Sequence, residues 1–127
     1  MEVRADRWGD PSQVARARTL VSQALQEWGV AGETCEVTIL LVSELVTNAL
    51  LHSRPPYVLL ARRDQDTVRV EMADSDPDGL PAIRPTQQDL PGGRGLRLVE
   101  ALATSWGTER DPRGKRVWFE VTVPTTP

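Results

Sequence analysis

The segment that most constrains this fold is Glu36–Ser53, whose polar residues are too few for a helix lying on a protein surface. At about 100° per residue, Glu36, Ser43 and Thr47 gather on one narrow stripe, the natural solvent side. Glu44, Asn48 and His52 fall on a second stripe, each about one helical turn from the last. Val37, Leu40, Leu41 and Leu51 surround that second stripe, so a carboxylate and a carboxamide stand in or beside an apolar wall. Burying a neutral polar group without a partner costs about 2–7 kcal/mol, and a charge costs more. Two kinds of partner fit. One is structural, an arginine for Glu44 and a strand carbonyl for Asn48. The other is a hydrated magnesium ion, because hard cations take oxygen ligands and keep their waters. His52, alone at the helix end, fits a hydrogen-bonding role there better than a catalytic one.

The flanking sequence supplies the elements against which such a helix can pack. Asp10-Pro11-Ser12 is a helix start, with proline in the first turn where its missing donor is not needed. From about Pro11 to Trp28, Val14, Ala17, Val21, Ala24, Leu25 and Trp28 share one face, and Gly29 ends the run. The apolar helix itself begins near Gly32–Thr34 and ends at Ser53-Arg54-Pro55-Pro56. Tyr57–Arg62 and Thr67–Ala73 read as a strand hairpin joined by Asp64-Gln65-Asp66. Asp74–Gly93, rich in Asp, Pro and Gly, reads as a loop of about 20 residues, the length of a lid, a binding loop or a disordered segment. Leu96–Thr104 is a third helical pattern, and Val117, Phe119, Val121 and Val123 alternate along a closing strand, Arg116–Val123. Met1–Trp8 is a weaker candidate for a first strand. The expected fold is α+β, a two-layer sandwich with helices on one face of a mixed, mostly antiparallel sheet of three or four strands.

Bulk properties narrow the function. A chain of 127 residues is expected to form one domain, residues 1–127, with a core of its own. A net charge of −3, with arginines scattered rather than striped, argues against direct nucleic-acid binding. Cys35 is the only cysteine and His52 the only histidine, which leaves no disulfide and no zinc cluster to expect. The N-terminal residues lack the apolar core of a leader, and no apolar run approaches the ~20 residues that span a bilayer. A cytoplasmic protein without membrane contact is the expectation.

Three motifs then occur in order. Val42-Ser43-Glu44-Leu45-Val46-Thr47-Asn48-Ala49-Leu50-Leu51-His52-Ser53 resembles the N-box of the Bergerat-fold (GHKL) ATP-binding domains, in the version of the anti-sigma factor serine kinases. The resemblance implies that Glu44 is the general base and that Asn48 binds the Mg2+ carried on the ATP phosphates. Val68–Asp74 resembles the next motif, in which a strand-end aspartate, here Asp74, receives the adenine amino group; Gly79 stands in the glycine loop that follows. Gly92-Gly93-Arg94-Gly95-Leu96 resembles the glycine-rich turn after the ATP lid. Small residues there let the backbone approach phosphate, and N–H groups at a helix start point at an anion. Arg94 is a candidate for the γ-phosphate, although a solvated surface arginine fits as well.

The likeness extends through a Trp106-Gly107 turn to the strand entry at Gly114-Lys115, and it is closest to compact actinobacterial versions. The sequence departs from it in two places. The motif Asp-x-Gly-x-Gly is replaced by Asp74-Ser75-Asp76-Pro77-Asp78-Gly79, and Arg116 takes the place of a threonine that helps hold nucleotide. The resemblance implies an ATP–Mg2+-dependent serine/threonine protein kinase that is also an anti-sigma factor. Its partners would be a sigma factor and a small antagonist protein, and relatives commonly form homodimers. The alternative is a module of the same fold that sequesters a regulatory partner without catalysis.

Overall fold

A computed structural model describes residues 1–5, 12–53, 56–75 and 93–124. Within them the chain forms β1 (Glu2–Ala5), α1 (Ser12–Glu27), α2 (Gly32–His52), β2 (Tyr57–Asp64), β3 (Thr67–Asp74), α3 (Gly93–Leu102), β4 (Ser105–Asp111) and β5 (Gly114–Thr122). The five strands make one sheet in the order β1-β2-β3-β5-β4, and every pairing is antiparallel. The α+β sandwich expected from the sequence is thus realised, with five strands rather than three or four.

The additional strand corrects the expected Trp106-Gly107 turn, since both residues lie inside β4. Trp106 stands opposite Phe119 and packs against the core, while Gly107 stands opposite Trp118. A Cβ at Gly107 would come within 2.8 Å of the Trp118 ring, so this glycine is the seat of an indole rather than a bend. Its neighbours, Glu109 to Asp111, are exposed and charged, which hides the strand from a search for apolar alternation.

Strand alternation sorts the sheet into two faces. Tyr57, Leu59, Ala61, Val68, Val70, Met72, Val117, Phe119 and Val121 are buried beneath the helices. α2 lies at the centre of the helical layer and packs on α1, α3, β3 and β5. Its buried side chains Leu41, Val42, Leu45, Val46 and Ala49 join Ala17, Val21 and Leu25 of α1 and Val99 of α3 in one core. The helix is long and apolar enough by composition to cross a bilayer, contrary to the sequence expectation, and this core absorbs its buried flank. The apolar wall around Glu44 and Asn48 is only partly as expected. Leu41 is fully buried, whereas Leu40 and Leu51 are 41% and 50% exposed.

Among the described residues, the opposite face of the sheet carries a network of charged side chains around Trp118. Arg69 Nε lies 2.8 Å from Glu71 Oε1, and its guanidinium carbon sits 4.1 Å from the centroid of the Trp118 ring. The chain of polar contacts runs on from Arg69 to Glu120, to which Ser105 Oγ donates, and from Glu71 through Arg116 to Glu109.

α1 ends as the sequence indicates. Gly29 N–H donates to the Gln26 carbonyl and Val30 N–H to the Leu25 carbonyl, the paired bonds of a Schellman motif. Gly29 has φ +74°, in the left-handed region, and both Leu25 and Val30 are buried. Gly29→Ala is expected to lower stability by about 1–2 kcal/mol, because the open space around that position leaves only backbone strain to oppose it. Urea denaturation would show this as a lower midpoint with an unchanged slope.

Candidate functional site

The inward alternation of β3 and β5 carries two charged side chains to the helix-covered face. Asp74 is in phase with Val68, Val70 and Met72; Lys115 is in phase with Val117, Phe119 and Val121. The two residues are direct partners in the β3–β5 ladder, and Lys115 Nζ lies 3.0 Å from Asp74 Oδ2. Their side chains are only 1% and 3% exposed. The close approach depends on Gly114, where a Cβ would sit 1.9 Å from the Asp74 carbonyl oxygen.

Lys115 also donates to Ser53 Oγ at 2.7 Å. Ser53 is the residue that closes α2, its N–H bonded to the Ala49 carbonyl at 2.9 Å. Tyr57, the first residue of β2, donates from its hydroxyl to the Ser53 carbonyl at 3.1 Å, with the Ala49 carbonyl at 3.5 Å. The C-terminal end of a helix carries partial negative charge, so an ammonium and a phenol hydrogen are favourable there. The result is a buried knot of Asp74, Lys115, Ser53 and Tyr57 that ties the end of α2 to the sheet. Burial, and then the Asp74 charge, raise the Tyr57 phenol above its ordinary value of 10.0.

Asn48 lies five residues before Ser53, about 7 Å along the helix axis at 1.5 Å per residue. It is 3% exposed, and its carboxamide oxygen is buried with no hydrogen-bond partner among the described residues. Glu44, one turn earlier, is half-buried and lines an open groove of about 550 Å³ with Arg18, Cys35, Glu36, Ile39, Leu40 and Ser43. It forms no ion pair among the described residues. Neither structural partner considered from the sequence, the arginine for Glu44 or the strand carbonyl for Asn48, is found there. An orphaned, buried oxygen acceptor has the chemistry to take a hard cation, and Asn48 Oδ1 fits that role.

The glycine segment differs from the turn expected at Gly92–Gly95. Gly93, Arg94, Gly95 and Leu96 form the first turn of α3, whose opening N–H groups have no partner within the helix. Gly92, Gly79, Asp76 and Asp78, and the side chains of Arg94 and His52, lie outside the described residues.

With this arrangement in place, the profile of the histidine kinase-like ATPase domain family matches residues 8–121. The chain belongs to that family. Its fold is similar to the structure of the RsbU and RsbW domains of Rv1364c from Mycobacterium tuberculosis, with a TM-score of 0.70 and 17% identity. That match covers 98% of this chain and 33% of the other. The blue-light activated histidine kinase of Erythrobacter litoralis EL346 aligns over 74% of this chain and 32% of its own, at TM-score 0.53 and 29% identity. The histidine kinase domain of the same protein covers 89% of this chain and 60% of that one, at TM-score 0.53 and 22% identity. The chain therefore spans about a third of the length of the first two structures. No curated protein matches it.

Against the family pattern, Arg116 is corrected. It stands beside Ala73 in the ladder and faces the side of the sheet away from the helices, 46% exposed, 3.6 Å from Glu71 and 3.7 Å from Glu109. A residue on that face does not enter the space between sheet and helices. The inward neighbour is Lys115, which sequence reading passed over as part of a strand entry. Its signal was present: a lysine in register with the apolar residues of an alternating strand.

The raised Tyr57 phenol sets an expectation for alkaline stability. The unfolded chain releases this proton near the ordinary value while the folded chain retains it. Stability is therefore fully present below about pH 10 and falls as pH rises towards the folded value. Tyr57→Phe should remove that part of the alkaline loss, measured as the denaturation midpoint from neutral pH upward. An unchanged slope in the variant would rule out this origin.

Proposed function

We propose that the chain binds ATP with Mg2+ and acts as a regulatory serine/threonine protein kinase of the anti-sigma-factor type. The observation that carries the proposal is Asn48, whose buried carboxamide oxygen lacks a partner among the described residues, on a helix whose end is tied to Asp74. Membership of the histidine kinase-like ATPase family supports ATP as the ligand, and likeness to a structure containing an RsbW domain supports the regulatory class.

In this reading Asp74 accepts the adenine amino group, and Asn48 Oδ1 supplies the protein oxygen for Mg2+. The bound Mg2+ offsets phosphate charge during phosphoryl transfer. Gly79 and Gly92 let backbone approach the nucleotide, and the N–H groups of Gly93, Arg94, Gly95 and Leu96 at the start of α3 receive phosphate oxygens. Glu44 takes the proton from a serine hydroxyl presented by a partner protein. Its groove, open to solvent and lined in part by Ile39 and Leu40, leaves that carboxylate reachable from outside. The partners would be a sigma factor and a small antagonist protein, with a homodimer as the working assembly. Arg116, on the far face of the sheet, does not obstruct this site.

Calorimetry with ATP, with and without magnesium, tests the binding step. Asn48→Ala is expected to remove the magnesium dependence of ATP affinity. Glu44→Ala should keep ATP affinity and slow phosphotransfer to a co-purifying partner by about 10²-fold or more. Unchanged phosphotransfer in Glu44→Ala would exclude it as the base. No binding at millimolar ATP would replace the kinase reading with a non-catalytic module that sequesters its partner.

A further inference from the structure

The pair of Lys115 and Asp74 is costly as packing. Removing two charges from water carries a desolvation penalty of several kcal/mol per ion, and apolar residues of similar volume often serve stability as well or better. A buried charge pair of this kind calls for a role that needs the charge. The surroundings indicate which. Lys115 Nζ holds Asp74 Oδ2 at 3.0 Å and Ser53 Oγ at 2.7 Å, so one ammonium fixes the strand-end carboxylate and anchors it to the C-terminal end of α2. Gly114 brings the two strands close enough for this, and Tyr57 closes the same helix end from β2.

We propose that Lys115 is a positioning and specificity-determining residue for the nucleobase. The inference rests on the reading of Asp74 as the residue that meets the base. Paired with an ammonium, Asp74 is a carboxylate, an acceptor at both oxygens. It favours a purine that presents a 6-amino donor and disfavours one that presents a 6-carbonyl, whose oxygen would face another acceptor. Without the ammonium the Asp74 side chain loses the 3.0 Å contact that fixes its direction and its link to Ser53. A carboxylate no longer held towards the 6-position of the purine reads that position less well, and the distinction between the two bases weakens. Through Ser53 the same ammonium sets the distance between the base-reading end of the site and Asn48, so affinity and selectivity depend on one side chain.

The experiment compares ATP with inosine triphosphate, which carries the 6-carbonyl, by calorimetry with magnesium. The proteins are the unaltered full chain and its Lys115→Met, Lys115→Arg, Ser53→Ala and Asp74→Asn variants, each checked for folding by circular dichroism. The unaltered chain is expected to prefer ATP, and Lys115→Met to reduce that preference by about ten-fold or more. Lys115→Arg, which keeps a cation, should recover part of it. Ser53→Ala loosens the anchor without stranding a charge and should reduce the preference by about two- to ten-fold. If Lys115→Met does not fold, Ser53→Ala and Lys115→Arg carry the test. A merely structural lysine would change stability and leave the ratio of the two affinities alone. If Asp74→Asn weakens ATP binding while the Lys115 and Ser53 variants keep the ratio, the role given to Lys115 is wrong and the site stands. If the unaltered chain binds neither nucleotide, the reading of Asp74 falls and the assignment falls with it.

Discussion

Everything in this fold answers to the burial of α2. Leu41, Val42, Leu45, Val46 and Ala49 are each no more than 4% exposed, and taking a Val or Leu side chain out of water contributes about 1.5–3 kcal/mol. A single sheet cannot cover a helix that is apolar around so much of its circumference. α1 and α3 flank it, and the sheet floors it. That burial is also what removes Asn48 from water and presses Ser53 against β2 and β5. The polar groups of the candidate site are therefore held by the same packing that stabilises the domain.

The sheet separates two sets of charges with little interference between them. Inward, the Lys115–Asp74 pair is buried and joined to a helix end. Outward, Arg69, Glu71, Arg116, Glu109 and Glu120 form a partly solvated network around Trp118. The period of two along a strand decides membership, so Lys115 and Arg116, adjacent in sequence, belong to different environments. The first positions a carboxylate at 3.0 Å, and the second belongs to the outer roof.

This sorting also explains what could be read from sequence. The three helices, the β2–β3 hairpin and the final strand announced themselves through periodicity and through punctuation such as Gly29 and Pro55-Pro56. β4 did not, because its outer half is Glu109-Arg110-Asp111 and its inner half carries the glycine that seats Trp118. The stripe of Glu44 and Asn48 was legible because it broke an apolar pattern. Its environment was not: Leu40 and Leu51 face outward, and only tertiary packing shows that Asn48 is buried while Glu44 borders an open groove. The partner of Asp74 was hidden for a different reason. Sequence comparison draws attention to the position that departs from a motif, which was Arg116, whereas the contact is made by the residue beside it.

Tyr57 is the only tyrosine in the chain. Its hydroxyl is bound to the end of α2, and the Asp74 charge acts on its proton. The absorbance change that accompanies phenol ionisation in this protein thus has one source, lodged in the knot that joins helix to sheet. The molecule contains its own optical reporter. A change in the charge on Asp74 would shift the alkaline range over which this one native side chain ionises, with no label attached.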